Sequence, residues 1–328
     1  LEYRELNMRK LLKKKILSNA DKLYKKNLFG ENIMPSKMCI LQERFTIPPS
    51  SVLDTRQGYW RDRVNKWKSI GIKSEIGRKQ DVLGSGLNKI YYSSMNNKGI
   101  SIFDPVLCEL MYKWFCPVNG VIVDPFAGGS VRGIVASILG YKYYGCDLNT
   151  EQIIENRKQA ELICNENKPL WVVGDALDVV SYFPNCDFIF SCPPYGNLEV
   201  YSTDKRDISN MSFEHFKVAY EDIICRCCSK LKDNRFVCFV VSDYRDSKTG
   251  IFNYFPDLTK QYFKNNGLYL YNDLILLNVM GTVQIRATRT FNGGRKCSSV
   301  HQNVLIFVKG DWKIAIKNLP LEKEIIGL

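Results

Sequence analysis

The sequence predicts an α/β protein whose mostly parallel sheet is covered by helices on both faces. Three observations carry that expectation. From about residue 100 onward, short β-rich apolar runs alternate with helix-length ones, the pattern of successive β-α-β units. The run Val121-Ile122-Val123-Asp124 turns through Gly128-Gly129 into a helix. Such a turn lets backbone N–H groups and one carboxylate close around a small charged ligand. The last two strands, over 268–279 and 303–309, lack a long helix between them, which predicts an antiparallel pair at one edge.

In chain order, residues 1–30 read as a basic helix, with Leu11, Leu12, Ile16 and Leu17 as a narrow apolar stripe among lysines. Ile47-Pro48-Pro49-Ser50-Ser51 is a linker-like break. A second basic helical run interleaves Tyr59, Trp60, Val64 and Trp67 with Arg61, Arg63, Lys66 and Lys68. The stretch 77–97, rich in Gly, Ser, Asn and Lys, predicts a mobile loop. Next come an apolar helix over 103–115, a strand over 121–126 and a helix over 131–139 closed by Gly140. A strand over 143–148 leads to a helix over 150–163, for which Asn149 and Gln152 form a capping box. Strands over 170–173 and 188–191, a helix over 213–231 and a strand over 236–242 complete the alternation. The chain thus divides into a basic N-terminal appendage (1–99), a main domain (100–312) and a tail (313–328).

At 328 residues, 45% hydrophobic and 24% charged, the chain can build one large α/β domain plus an appendage. No run of eighteen apolar residues exists to span a membrane. A chain that opens on Leu1 rather than Met reads as trimmed or processed. Twelve cysteines without a disulfide-like framework point to a reducing, intracellular compartment. The net charge of +12 is concentrated: residues 1–80 hold 19 Lys and Arg against 8 Asp and Glu. The stretch 281–300 carries Arg286, Arg289, Arg295 and Lys296 with no acid. Clustered positive charge suits a polyanion partner, with a solvated basic face as the plain alternative.

Asp124, Asp147 and Asp175 each fall at or near the end of a predicted strand, so all three line one rim. Asp147 stands 23 residues after Asp124, about the spacing at which an acid reaches a ribose diol. The chain lacks Gly-x-Gly-x-x-Gly, which disfavours a nicotinamide site, and no Gly-Lys-Ser/Thr follows the glycines to suit a nucleoside triphosphate. A second motif, Ser191-Cys192-Pro193-Pro194-Tyr195-Gly196, ends the apolar strand Phe188-Ile189-Phe190.

In this order and spacing, Asp124-Pro125-Phe126-Ala127-Gly128-Gly129-Ser130 and Ser191 to Gly196 resemble motifs I and IV of the S-adenosylmethionine-dependent amino-methyltransferases of nucleic-acid bases. Phe103-Asp104-Pro105 resembles the family's motif X. The order X, I, IV is similar to the gamma-type DNA methyltransferases. A closer likeness to phage and prophage DNA methylases lies in residues 103–109, 191–196 and His301-Gln302-Asn303-Val304-Leu305. The resemblance covers about residues 52–310.

It implies a Rossmann-like methyltransferase fold with a seven-stranded, mostly parallel sheet and an antiparallel edge. It also implies S-adenosylmethionine as cofactor, duplex DNA as partner, and site-specific methylation of the restriction–modification kind. Asp124, Phe126 and the Gly128-Gly129 turn would hold the methionine moiety, with Phe103, Asp104 and Pro105 closing over it. Asp147 would take the ribose hydroxyls and Asp175 the adenine amine. No metal is implied.

An exocyclic amine is a poor nucleophile because its lone pair is delocalised into the ring. The site must accept its N–H bonds and hold the base in line with the donor. In Ser191, Cys192, Pro193, Pro194 and Tyr195, a proline carbonyl on a stiffened backbone serves as acceptor and Tyr195 stacks on the base. Pro193 is the expected source of that carbonyl. The family has Asp, Asn or Ser before Pro-Pro, whereas this chain has Cys192, a weak acceptor, with Ser191 one place earlier. Either Cys192 acts as a poor acceptor, or Ser191 and the backbone share the task. By the family's pattern, a neutral residue there favours cytosine N4 over adenine N6.

A base in a duplex must be extruded to reach such a pocket. Phosphate contacts are expected from Arg286, Arg289, Arg295 and Lys296 on an unstructured 281–300 loop, and from Arg61 and Arg63. The polar stretch 197–211 is expected to overhang the pocket. Trp60 and Trp67 serve equally well as core contacts. Cys225, Cys227 and Cys228 lack metal-ligand spacing and read as core. Guanine-N2 methylation of RNA, and a catalytically inactive nucleic-acid-binding subunit that kept the fold, stand as alternatives.

Overall fold

The computed structural model describes residues 45–72, 103–195, 204, 206–246, 248–278 and 283–320. The helix expected over 1–30 and the loop expected over 77–97 lie outside them. Residues 50–320 form one compact unit; a second unit comprises 1–49 and 321–328, of which only Phe45 to Pro49 are described.

One eight-stranded sheet organises the larger unit. Its strands are β1 (Val52–Asp54), β2 (Val121–Asp124), β3 (Lys142–Asp147), β4 (Leu170–Val173), β5 (Cys186–Ser191), β6 (Leu231–Val241), β7 (Leu268–Leu277) and β8 (His301–Lys309), in the spatial order β1-β7-β8-β6-β5-β2-β3-β4. Pairing is parallel throughout except at β8, which runs antiparallel to both β6 and β7. From β2 the chain winds outward through β3 and β4, then returns to place β5 on the other side of β2. The winding therefore reverses between β2 and β5, the switch point at which open α/β sheets form a crevice beyond the carboxyl ends of their strands.

The helices are α1 (Gly58–Ser69), α2 (Pro105–Phe115), α3 (Val131–Ile138), α4 (Thr150–Ile163), the single turn α5 (Ala176–Val179), α6 (Phe213–Lys230), α7 (Phe255–Asn265), α8 (Val283–Gly294) and α9 (Trp312–Lys317). Period-2 alternation sorts the central strands between two cores. Ile189, Val237, Phe239, Leu305 and Phe307 meet Phe216, Tyr220 and Ile223 of α6 and Phe263 of α7. Phe188, Phe190 and Phe236 point the other way, edge-on to Tyr112 and Phe115 of α2. Each buried aromatic of this size contributes about 1.5–3 kcal/mol by leaving water. On α3, Gly133 admits Trp171 of β4 against the helix, where any Cβ would collide with the indole.

The α/β class and mostly parallel sheet stand as expected, and α4 starts at the expected cap, with Asn149 Oδ1 accepting from Gln152 N at 3.0 Å. Four features differ from expectation. The sheet has eight strands rather than seven, because β1 adds a parallel edge beside β7. With it, Val52 to Ser69 belong to the sheet unit rather than to an appendage ending at residue 99. The 281–300 stretch is not an unstructured loop: α8 occupies most of it, since no Gly or Pro interrupts Val283 to Asn292. Helix α7, opened by Pro256 in its first turn, was not anticipated between the strands that flank it. Among the cysteines expected in the core, Cys227 and Cys228 are buried but Cys225 is exposed. No described helix is long and apolar enough to cross a membrane.

What fixes α1 to the sheet unit is a carboxylate inside α2. Glu109 is fully buried and takes Lys113 Nζ at 2.9 Å, Trp67 Nε1 at 2.8 Å and the Arg63 guanidinium. Trp60 Nε1 adds a second tie, to Asp104 Oδ2 at 2.8 Å. Burial works to raise Glu109, but Lys113 and Arg63 outweigh it and hold the carboxyl at about 2. A group depressed from 4.5 to about 2 contributes fully above its unfolded value and loses that contribution as pH falls toward 2. Glu109→Ala, which removes the buried carboxylate between Arg63 and Lys113, is expected to cost about 3–5 kcal/mol, and Glu155→Ala in the exposed pair with Lys158 under about 1 kcal/mol. Urea midpoints at pH 7 check the contrast, and midpoints across pH 5 to 3 should fall less steeply in Glu109→Gln than in the parent.

Candidate active site

At the β2–β5 crevice the two motifs touch. Ser191, the last residue of β5, donates its hydroxyl to Asp124 Oδ1 at 2.5 Å. The same carboxylate accepts Phe126 N on Oδ1 (3.1 Å), and on Oδ2 it accepts Arg132 Nε (2.6 Å) and the Tyr143 hydroxyl (2.6 Å). A carboxylate offers about four acceptor positions, so these donors saturate it. Asp124 has no exposed surface. The structure therefore makes it the brace of the turn, not the ligand-facing carboxylate expected from sequence.

Arg132 completes that brace. It is buried, its Nη2 donates to the carbonyls of Phe126 and Ala127, and its guanidinium lies 4.6 Å from the centre of the Phe103 ring. Burial opposes its charge, but Asp124 outweighs burial and holds the guanidinium above its ordinary range. Burial, followed by the Asp124 charge, pushes the Tyr143 hydroxyl well up, so it stays a donor. Phe103 also packs edge-on to Phe190, which brings the segment before α2 against the glycine turn. Asp104 caps α2 through the N–H groups of Val106 and Leu107, and Pro105 is its first residue.

Two carboxylates remain on the accessible side. Asp147, half-buried at the end of β3, accepts Gly128 N at 2.9 Å and Asn149 N at 2.8 Å. Gly128 has φ +50, a left-handed conformation that glycine adopts freely. Its carbonyl is held from beneath by Asn156 Nδ2 at 2.7 Å, while Gln152 binds Asn156 and Gln159 binds Ser130. Gly129 and Phe126 are half-buried on the same turn. Asp175, half-buried beyond β4, caps α5 through Leu177 N. Both carboxylates thus sit half-buried at strand ends on the rim of the crevice.

Cys192 is half-buried, Pro193 buried, and Pro194 and Tyr195 half-buried; Gly196 lies outside the described residues. The Tyr195 hydroxyl accepts Gln302 Nε2 at 2.6 Å and lies 3.7 Å from Cys192 Sγ. Its ring meets Phe255 edge-on, with centroids 5.9 Å apart. Antiparallel β8 makes the Gln302 contact possible, because its first residues lie at the carboxyl end of β6.

Among the expected phosphate contacts, Arg61, Arg289, Arg295 and Lys296 are exposed. Arg295 stacks 5.0 Å from the Phe291 ring centre. Arg286 lies in α8, with its side chain outside the described residues. Arg63 differs from expectation, since its guanidinium is engaged by Glu109. Of the 197–211 stretch, Asp204 and 206–211 are described, and Ile208 and Ser209 within it are buried. Sequence reasoning missed Arg132, Tyr143, Asn156 and Gln302. A charge on the apolar face of α3 was the available signal for Arg132.

No protein-family model matches the chain, and no curated protein matches it. Among solved structures it is similar to TrmN from Thermus thermophilus at 16% identity and a TM-score of 0.41, over 62% of this chain and 48% of that one. It thus spans about half of TrmN's length. A precorrin-6y C5,15-methyltransferase from Geobacter metallireducens GS-15 aligns at 13% identity and 0.41, over 72% of this chain and 95% of that chain. The magnesium protoporphyrin IX methyltransferase ChlM from Synechocystis PCC 6803, solved with bound SAM, aligns at 12% and 0.41, over 70% and 95%. Similarity at this level assigns neither substrate nor residue roles, which are read from this chain's own side chains.

Arg132→Met leaves the buried Asp124 charge uncompensated and is expected to cost about 3–5 kcal/mol of stability, with part recovered in Asp124→Asn/Arg132→Met. Ser191→Ala removes one hydrogen bond to a charged acceptor, worth about 1.5–3 kcal/mol. Urea denaturation of the four proteins checks the order; a loss under about 1 kcal/mol for Arg132→Met would show that Asp124 finds its balance elsewhere.

Proposed function

We propose that the protein is an S-adenosylmethionine-dependent methyltransferase acting on an exocyclic amino group of an extruded base in duplex DNA, cytosine N4 ahead of adenine N6. The observation that carries this reading is the Ser191–Asp124 hydrogen bond, which sets the glycine turn and the double proline on one crevice. S-adenosylmethionine, when bound, supplies an electrophilic methyl group on a sulfonium. Asp147 and Asp175 suit its ribose diol and adenine amine, and the Phe126-to-Gly129 turn with Phe103 suits its methionine end.

On the other wall, Pro193 stiffens the backbone whose carbonyl accepts an N–H bond from the target amine, drawing the nitrogen toward a pyramidal geometry. Ser191 already donates to Asp124 from a fully buried position, which leaves Cys192 as the side chain beside the pocket. A thiol accepts weakly, so the backbone carbonyl takes the larger share. Gln302 and Phe255 fix the plane of Tyr195, which stacks on the base. Exposed Arg289, Arg295 and Lys296 flank the same end of the sheet and suit phosphates.

Transfer of labelled methyl groups to duplex DNA and to tRNA, followed by nucleoside analysis, tests the assignment. N4-methylcytosine in DNA is expected. Methylated guanosine in tRNA would instead establish RNA methylation, and no methylated base in either would remove catalysis altogether. Tyr195→Ala should reduce DNA methylation by about 10- to 100-fold, in keeping with the worth of base stacking, while leaving cofactor affinity within about three-fold. Asp147→Ala should weaken cofactor binding by calorimetry. The reverse pattern would overturn the division of the site.

A further inference from the structure

The segment that follows β6 doubles back into a short hairpin beside the candidate active site. Arg245 and Phe252 form an antiparallel bridge, Asp246 N donates to Ile251 O at 2.9 Å, and Asn253 N donates to Tyr244 O at 2.9 Å. Gly250 N closes the turn onto Asp246 O at 2.8 Å, and Asp246 Oδ1 accepts Lys248 N and Thr249 N. The hairpin's root is anchored at the catalytic motif: Phe255 lies 5.9 Å from Tyr195 and 6.0 Å from Tyr244, ring centre to ring centre.

Its outer side is apolar and open. Ile251 and Tyr254 are each 61% exposed and Phe252 is 37% exposed. A single exposed apolar residue needs no explanation, but here three of four consecutive residues stand out on a hydrogen-bonded turn. Tyr254 is also held at φ 55 and ψ 38, a left-handed conformation that a bulky residue adopts only when its surroundings enforce it. Cations border the tip. The Arg245 guanidinium lies 3.7 Å over the Phe252 ring, Lys248 is exposed, and Lys296 reaches the hairpin at Gly250.

Apolar side chains bordered by cations, with the one acid of the turn, Asp246, engaged on the hairpin's own N–H groups, match a partner with an apolar stack inside and phosphates outside. Proteins that unstack a duplex insert such side chains between base steps and hold the flanking phosphates with lysine and arginine. An anionic membrane would also accept a tip of this composition, but it gives no reason for the root to rest on Tyr195. We propose that Ile251 and Tyr254 form a wedge that enters the base stack of duplex DNA as the target nucleotide leaves it, with Arg245, Lys248 and Lys296 on the neighbouring phosphates. The inference rests on the proposed base methylation and adds the device that makes a paired base accessible.

The full chain and the double variant Ile251→Ser/Tyr254→Gly, whose glycine keeps the left-handed backbone, are compared in two assays. In the first, permanganate reactivity of thymines in a mixed-sequence plasmid reads unstacking. In the second, labelled methyl transfer is measured on native and on heat-denatured genomic DNA. The parent should raise thymine reactivity, and the variant should lose that signal and about ten-fold or more of its transfer to native DNA. Its transfer to denatured DNA should stay within about two-fold of the parent, because no stack then needs opening. Equal reactivity and equal transfer to native DNA in both proteins would overturn the wedge while leaving the methylation standing. Unstacking that depends on the hairpin, without methyl transfer to any nucleic acid, would do the reverse. A parent that leaves every thymine unreactive, or binds phosphatidylserine vesicles but no duplex, would also overturn the wedge.

Discussion

One buried carboxylate holds the centre of this protein together. Asp124 collects a main-chain N–H from its own turn, a guanidinium from α3, a phenol from β3 and a hydroxyl from the end of β5. A carboxylate with no exposed surface persists only where its charge and its lone pairs are all answered, and here Arg132 answers the charge. The same guanidinium holds the carbonyls of Phe126 and Ala127 and lies against Phe103. The glycine turn, the double-proline segment and the residues before α2 therefore share one electrostatic anchor. None can shift far without exposing or unpairing a charge.

Much of this was readable in the amino-acid order, for reasons of period and punctuation. Strands β2 to β6 and helices α3, α4 and α6 announce themselves by apolar alternation bounded by glycine, asparagine or serine. The sequence puts Asp124 and Ser191 at the ends of two strands, whereas the hydrogen bond between them is visible only in the fold. Less legible was which carboxylate faces outward. Asp124 and Asp147 look alike in sequence, yet Tyr143 and Arg132, whose partners lie on other elements, internalise the first and leave the second half-exposed. Helix α8 was hidden because the glycines at both ends of its segment read as loop, although nothing between them breaks a helix. Strand β1 is three residues long and owes its existence to β7, so no local signal marks it. Glu109 also lay beyond sequence reasoning. Its partners Arg63 and Trp67 come from α1, and only folding shows that a basic helical run docks on an acid.

A division of labour follows across the crevice. On the side bounded by β2, β3 and β4 the turn is tied by hydrogen bonds from Asn156, to Asp147 and, through Asp124, to Arg132. The opposite side is assembled from segments far apart in the chain: Tyr195 after β5, Phe255 at the start of α7 and Gln302 on β8. Connections carried by a scaffold tolerate sequence change more readily than the elements they join, and this second side is built from such connections.

The reversed direction of β8 has an evolutionary consequence. Because β7 and β8 are neighbouring antiparallel strands, the passage between them begins and ends on the same lip of the molecule and never has to cross the sheet. Added length in such a passage costs little where it is flexible, about 0.6 kcal/mol for each doubling, although α8 fills most of the present one. The described part of that passage, α8 and the residues up to β8, is therefore a place where a lineage can vary the surface without altering the strand order on either side.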